Sequence, residues 1–162
     1  TFETPMLGAV GYIDEENIRI YRAPLRATKA DGEGKPVFDL SKISKADLAK
    51  VEIAVSYQQA GGGAIKGFVA DGAKGIVTAG TGAGGISREM SAARKEAIEK
   101  GVVFVTTTRT GSGSVYGGGE GIISGDNLSP QQARILLLLS LSFTDDFNTI
   151  KGWFETYGTP EV

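Results

Sequence analysis

The glycine-rich segment 79–85, Ala-Gly-Thr-Gly-Ala-Gly-Gly, is the first part of the chain whose spacing suggests a ligand. Gly80, Gly82 and Gly85 match G-x-G-x-x-G, which in dinucleotide-binding proteins lets backbone N–H groups approach a pyrophosphate. That function also needs an acidic residue about 20 positions later, after the next strand, for the ribose hydroxyls. Here the strand ends at 106–108, Thr-Thr-Thr, without a carboxylate. The glycines therefore indicate either a ligand loop or close backbone packing.

Two further segments carry groups that could contact a ligand. Residues 106–109, Thr-Thr-Thr-Arg, enter a second glycine-rich loop, although threonine is also common within strands. Glu120 stands among glycines in that loop, where a carboxylate is either solvated or part of a site. The chain has no Cys and no His, which excludes disulfides, thiol nucleophiles, imidazole bases and ordinary zinc sites. Any catalysis would use hydroxyls, carboxylates, lysines or backbone dipoles.

The composition is that of a folded domain. The 162 residues are 41% hydrophobic and 22% charged, enough for one core with a short appendage. The net charge of −2 argues against a nucleic-acid or anionic-membrane partner, which would require a basic patch. No stretch approaches the roughly 18 apolar residues of a membrane span. We predict no nucleic-acid partner, no membrane partner, no metal and no cofactor.

Strand and helix signals alternate from residue 50 onward. Branched apolar runs predict strands at 51–55, 75–78 and 102–106, with a short run at 122–123. Apolar residues at helical spacing predict helices at 64–70, from Ser87 to about residue 100, from Ser129 through 135–139, and at 145–157. The helix after Ser129 is apolar all round, so we expect it to be packed on several sides. The alternation predicts a three-layer α/β/α fold with a small parallel sheet, Rossmann-like or flavodoxin-like.

The first 49 residues have a different pattern. Segments 9–13 and 18–21 resemble a hairpin, and an isolated hairpin is marginal in water, so we expect it to belong to a sheet elsewhere. We predict three regions. Residues 1–28 are the end of an N-terminal domain that contains this hairpin, 29–49 are an interdomain linker, and 50–162 are a C-terminal α/β domain.

A resemblance to a known family rests on three segments in order. They are 74–84 (Lys-Gly-Ile-Val-Thr-Ala-Gly-Thr-Gly-Ala-Gly), 100–105 (Lys-Gly-Val-Val-Phe-Val) and 126–137 (Asp-Asn-Leu-Ser-Pro-Gln-Gln-Ala-Arg-Ile-Leu-Leu). Together they resemble the C-terminal half of bacterial type II L-asparaginases, and the stretch 128–136 is close to a signature of that family. Tyr57 and the opening segment 8–13 also resemble the family, so the similarity covers about residues 8–157.

The resemblance implies hydrolysis of L-asparagine, and to some degree L-glutamine, to the acid and ammonia, as in asparagine catabolism. The family forms an acyl-enzyme on a threonine of its N-terminal domain, whose motifs this chain lacks. We therefore expect no catalytic residue here, and an inactive fragment when the chain is alone. In the family this half supplies the far wall of a neighbouring subunit's site, and the implied substrate-binding positions are Gly85, where relatives carry Asn or Ser, and Glu120, near the substrate's amino group.

The resemblance also implies the partners and the location. The partners would be L-asparagine, L-aspartate and L-glutamine, the N-terminal domain of the same protein, and further copies in a homotetramer built as a dimer of intimate dimers. Type II relatives are usually periplasmic or secreted, and a cytoplasmic location is also compatible. The alternative interpretation is a non-catalytic α/β module that binds a small ligand or regulates another protein.

Overall fold

A computed structural model describes residues 8–21 and 37–158. The predictions for residues 1–7, 22–36 and 159–162 lie outside the described residues. The strands are β1 (Gly11–Asp14), β2 (Asn17–Ile20), β3 (Val51–Val55), β4 (Gly75–Gly80), β5 (Val103–Thr108) and β6 (Ile122–Ser124). The helices are α1 (Gly63–Ala70), α2 (Arg88–Ile98), α3 (Pro130–Phe143) and α4 (Phe147–Trp153), and a π-helical turn, Phe154–Gly158, follows α4.

The strands β3 to β6 form one parallel sheet in sequential order, β3-β4-β5-β6. Parallel neighbours need crossover connections, and these are almost always right-handed. When the sheet grows in one direction, right-handed crossovers place their helices on the same face. Accordingly α1 and α2 share one face, and the opposite face is covered by α3 and α4, which come after the last strand.

Two apolar cores lie on the two faces of the sheet because side chains alternate along each strand. Ile76 and Phe104 point towards α1 and α2, where Met90 and Ala93 are buried. Val77 and Val105 point the other way, towards Leu137 of α3. The three-layer α/β/α prediction is confirmed.

Helix starts follow the predicted capping residues. Ser87 caps α2 by accepting a hydrogen bond from Met90 N, at 3.1 Å. Ser129 caps α3 by accepting from Gln132 N, and the Gln132 side chain accepts in return from Ser129 N, which completes a capping box. No helix among the described residues is both long enough and apolar enough to cross a membrane.

One local boundary differs from its prediction. The strand predicted at 75–78 continues to Gly80, because Ala79 and Gly80 pair with the last two residues of β5. The α3 helix packs against β3, β4, β5 and α4, in agreement with the expectation of packing on several sides. Leu137 is fully buried, while Ile135 is 51% exposed. The sheet therefore covers only part of the apolar surface of α3.

The hairpin predicted near the start is present. Strands β1 and β2 pair in antiparallel fashion around the turn residues Glu15 and Glu16. Ile13 and Ile18 pair with each other on one face and are 78% and 72% exposed. In the predicted linker, Phe38 packs against Phe143 and Trp153, with ring centroids 5.6 and 5.0 Å away. This part of the segment is therefore held against the α/β body.

Residues 115–119, here called the edge arm, run antiparallel to β6. Val115 N donates to Asp126 O, and Gly119 and Ile122 exchange two backbone hydrogen bonds, each 3.0 Å long. After β5 the chain thus turns at the carboxyl end of the sheet, descends along β6, and turns again at Glu120 and Gly121. The second glycine-rich loop is mostly this arm.

Candidate functional site

The loop after β4 lies at the carboxyl end of the sheet, where ligands bind in open α/β proteins. Thr81 and Gly85 bridge its two sides by a pair of backbone hydrogen bonds, Thr81 N to Gly85 O at 3.0 Å and Gly85 N to Thr81 O at 2.8 Å. Between them Gly82 and Gly84 have positive φ angles of 53° and 86°. We call residues 80–85 the glycine loop.

Close backbone packing accounts for several of these glycines. A Cβ on Gly80 would lie 2.5 Å from the backbone of Gly84, and a Cβ on Gly84 would lie 2.4 Å from Cγ2 of Thr106. The N–H groups of Thr81 and Gly85 are used within the loop itself. The dinucleotide interpretation loses support, because two of the donors that would bind a pyrophosphate are already engaged.

Gly85 differs from the other loop glycines. It is exposed, and its φ is outside the positive range. A Cβ there would meet Thr81 O at 3.4 Å, an ordinary contact. A side chain at Gly85 would therefore fit without strain.

Arg109 fastens the ends of two strands to each other beside this loop. Its backbone N donates to Gly80 O at 2.9 Å, and its Nε donates to Ser56 O at 3.0 Å. An open groove of about 630 Å³ lies here, and we call it the carboxyl-end groove. It is lined by residues 56–59, Thr81, Gly85, the start of α2 and Arg109. Tyr57, which contributes to the resemblance, belongs to this lining and is 62% exposed.

The threonines at the ends of the strands serve the backbone. Thr107 Oγ1 donates to Thr78 O at 3.0 Å, and Thr78 Oγ1 donates to Val105 O at 3.4 Å. Thr108 and Thr110 bond through their hydroxyls at 2.9 Å. A nucleophilic hydroxyl needs an adjacent base, and these contacts provide none. Within residues 8–21 and 37–158, no cluster of three carboxylates could hold a metal ion.

Glu120 is placed at the opposite end of the sheet from Gly85. It sits in the exposed turn before β6, whose first residue, Ile122, pairs with Phe104 near the start of β5. Gly121 beside it has a φ of 70° and accepts from Phe104 N. The described structure therefore does not bring Glu120 and Gly85 together in one groove.

A second groove lies between α2 and the edge arm, on the other side of Gly85. Its volume is about 610 Å³, and Arg88, Ser91, Arg94, Thr106 and Tyr116 contribute polar groups. We call it the arginine groove. Of these residues, sequence reasoning identified only Thr106, within the segment 106–109. The available signal was the spacing of Ser87, Ser91 and Arg94, four and seven positions apart, which places polar groups on one face of a helix.

Comparison with known proteins gives a consistent family. The model of the glutaminase/asparaginase C-terminal domain matches residues 50–154. The chain is 34% identical to L-asparaginase 2 of Bacillus subtilis, covering 97% of this chain and 41% of the relative. It is 29% identical to the probable periplasmic L-asparaginase of Haemophilus influenzae, covering 97% of this chain and 45% of the relative.

A solved structure agrees with these relatives. The crystal structure of a probable cytoplasmic L-asparaginase from Campylobacter jejuni superposes with a TM-score of 0.82 and 37% identity. The alignment covers 96% of this chain and 49% of that one, so the chain spans less than half the length of the relatives described. The family's C-terminal domain matches most of the chain, and the chain belongs to the glutaminase/asparaginase family.

Proposed function

We propose that the chain is the C-terminal part of an amidohydrolase that converts L-asparagine, and to some degree L-glutamine, to the acid and ammonia. The observation that carries the proposal is the family match over residues 50–154, together with a glycine loop that presents an unstrained, exposed Gly85 at the carboxyl end of the sheet. In this proposal the loop forms one wall of a site whose catalytic threonines belong to an N-terminal domain.

The geometry of the sheet supports the proposal that this chain forms one wall of a site and not a complete site. In doubly wound proteins a crevice opens where the strand order reverses, and ligands bind there. The described strands β3 to β6 follow one another without reversal. The hydroxyls of Thr78 and Thr107 bond to carbonyls, and those of Thr108 and Thr110 bond to each other. A neighbouring domain or subunit would have to supply the nucleophile and the base.

The two proposed substrate contacts have unequal support. A relative's Asn or Ser at the position of Gly85 could extend a polar group from the loop, and the space around Gly85 admits one. Glu120 is proposed to bind the substrate's ammonium group, but its turn lies at the other end of the sheet. This second contact rests on the family resemblance alone.

The Glu120 proposal has a direct test in a protein that carries both halves. A carboxylate bonded to an ammonium group forms a charge-assisted hydrogen bond, which contributes about 1.5–3 kcal/mol. Glu120→Gln should then raise the Michaelis constant about tenfold or more while leaving the unfolding midpoint unchanged. An unaltered constant would mean that Glu120 is a solvated turn residue.

We further propose that residues 1–28 end an N-terminal domain, that 29–49 link it to the α/β domain 50–162, and that the whole protein is a homotetramer built as a dimer of intimate dimers. The exposed isoleucine pair of the β1–β2 hairpin supports a missing sheet neighbour. Exposed Ile135 on α3 supports a further packing surface. We propose a periplasmic or secreted location, with the cytoplasm as the alternative, since relatives named for both compartments are similar to this chain.

Ammonia release tests the proposed function. The chain alone should release no ammonia from L-asparagine, whereas a protein that joins it to the family's N-terminal half should do so, within the usual enzymatic range of about 1–1,000 per second. Turnover by the chain alone would contradict the proposed division of the site. Lack of turnover by the joined protein, with binding of another metabolite by the chain, would favour a non-catalytic binding module.

A further inference from the structure

We propose that the arginine groove binds the carboxylate group of a small molecule. The groove is bounded by α2 on one side and by the edge arm on the other, and it opens beside Gly85. Arg88, Ser91 and Arg94 come from successive turns of α2, and Tyr116 from the arm is 76% exposed. Two arginines thus line one cavity together with residues that carry hydroxyl groups.

The charged residues that line this groove are all positive. None of its lining residues is an aspartate or glutamate, although the chain as a whole carries a net charge of −2. The ion pairs between described side chains use lysines 42, 50, 66, 74 and 151, and neither Arg88 nor Arg94 takes part in one. Neither guanidinium group is therefore neutralised by an ion pair with another described side chain.

The positions of both arginines are unfavourable without a ligand. Arg94 is half-buried, and burial lowers the pKa of its guanidinium because a buried charge loses solvation. Arg88 is the first residue of α2, where the positive end of the helix dipole disfavours a cation. An anion bound beside either side chain would offset the penalty of that arginine.

The shape and donors of the groove indicate the class of ligand. Its volume of about 610 Å³ is in the usual range for a small-molecule site, about 300–1,000 Å³. A guanidinium presents a planar fork of donors that matches a carboxylate with two parallel hydrogen bonds. A phosphate would also fit that fork, and the choice of a carboxylate rests on the proposed amidohydrolase function, whose acid product carries one more carboxylate than its substrate.

Titration of the chain with succinate tests this assignment. Succinate has two carboxylates and neither an amide nor an amino group, so its binding does not depend on hydrolysis. We expect saturable binding by calorimetry, weakened about tenfold or more in Arg94→Gln and in Arg88→Gln. Lys95→Gln is the matched control, because it removes the same charge from the same helix outside the groove. It should bind like the unchanged chain.

A second variant and a second anion keep the outcomes separate. Arg94→Lys retains the charge without the fork and should lose part of the affinity, while circular dichroism shows whether each variant is folded. Absence of succinate binding, or equal weakening in Lys95→Gln, would overturn the proposal. Binding of inorganic phosphate through both arginines, without binding of succinate, would overturn the carboxylate assignment. If a joined protein hydrolyses asparagine but does not bind succinate, the arginine groove is not a carboxylate site, and the proposed function still holds.

Discussion

The two ends of the parallel sheet are built by different means. At the carboxyl end, close backbone contacts hold the glycine loop, Arg109 bonds to the carbonyl of Ser56, and a capping box fixes the start of α3. At the amino end, exposed side chains pair across the surface, as in Lys74 with Asp145 at 3.6 Å and Lys50 with Asp71. The first arrangement fixes backbone atoms in place, and the second contributes mainly solvated charge.

This difference indicates where substitutions should matter. Exposed ion pairs stabilise proteins little, because solvent screens them and their long side chains lose entropy. Tight backbone contacts tolerate little change, because neither neighbour can move away without disturbing a strand. We therefore expect the carboxyl end to control both the stability and the shape of the candidate site.

The largest effect is expected for Gly84→Ala. A non-glycine residue at its φ of 86° costs about 1–2 kcal/mol, and the contact of the new Cβ with Thr106 adds about 1–3 kcal/mol of overpacking. Urea unfolding should therefore show a loss of about 2–5 kcal/mol. Gly82→Ala is the control, because it has a positive φ but open space around it, and it should show only the first cost. Equal losses would show that Thr106 moves away from the new Cβ at little cost in free energy.

Ser129→Ala should have an intermediate effect. It removes the hydroxyl that accepts from Gln132 N and breaks the capping box at the start of α3. Loss of such a cap costs about 0.5–2 kcal/mol. The same substitution at exposed Ser112 in the loop after β5 provides the comparison and should change the unfolding midpoint little. Similar midpoints for both variants would show that the cap contributes nothing measurable.

Lys74→Gln tests the amino end. The Lys74 and Asp145 side chains are 60% and 84% exposed, so the pair should contribute only about 0.2–1 kcal/mol. Added salt should reduce even this difference between the variant and the unchanged chain. A larger loss that persists at high salt would mean that the two ends of the sheet are less different than their contacts indicate.

The smallest effect on stability is expected for Gly85→Asn and Gly85→Ala. Since a Cβ fits there at an ordinary distance, both variants should stay within about 0.5 kcal/mol of the parent. In a protein that carries both halves, however, Asn should shift the ratio of glutamine to asparagine turnover, because it adds hydrogen-bonding groups to the wall. Ala should leave the ratio unchanged. A shift of the same size in both variants would indicate a backbone effect.

The sequence predicted what local chemistry determines. Ser87 and Ser129 marked the helix starts because an N-cap depends only on the three residues that follow it. It did not predict the extension of β4 to Gly80, since glycine has low strand propensity and the pairing partner lies in β5. Pairing between distant segments, which single residues do not encode, determined that outcome.

The candidate site shows the same limit. Gly85 could be placed from its position after β4, because the carboxyl ends of parallel strands share one edge. Glu120 could not, because its location depends on the antiparallel course of the edge arm along β6. The arginine groove was also missed, since it requires α2 and the edge arm to come together.

The edge arm has a consequence for self-association. An outer strand with unpaired backbone groups can act as a template on which another polypeptide adds a strand. Along β6 the arm occupies part of those groups, because Gly119 and Ile122 exchange two backbone hydrogen bonds. Within the described residues no strand pairs with the outer side of β3, where Val55 is 54% exposed. Intermolecular strand addition, and the aggregation that follows from it, should therefore begin at β3.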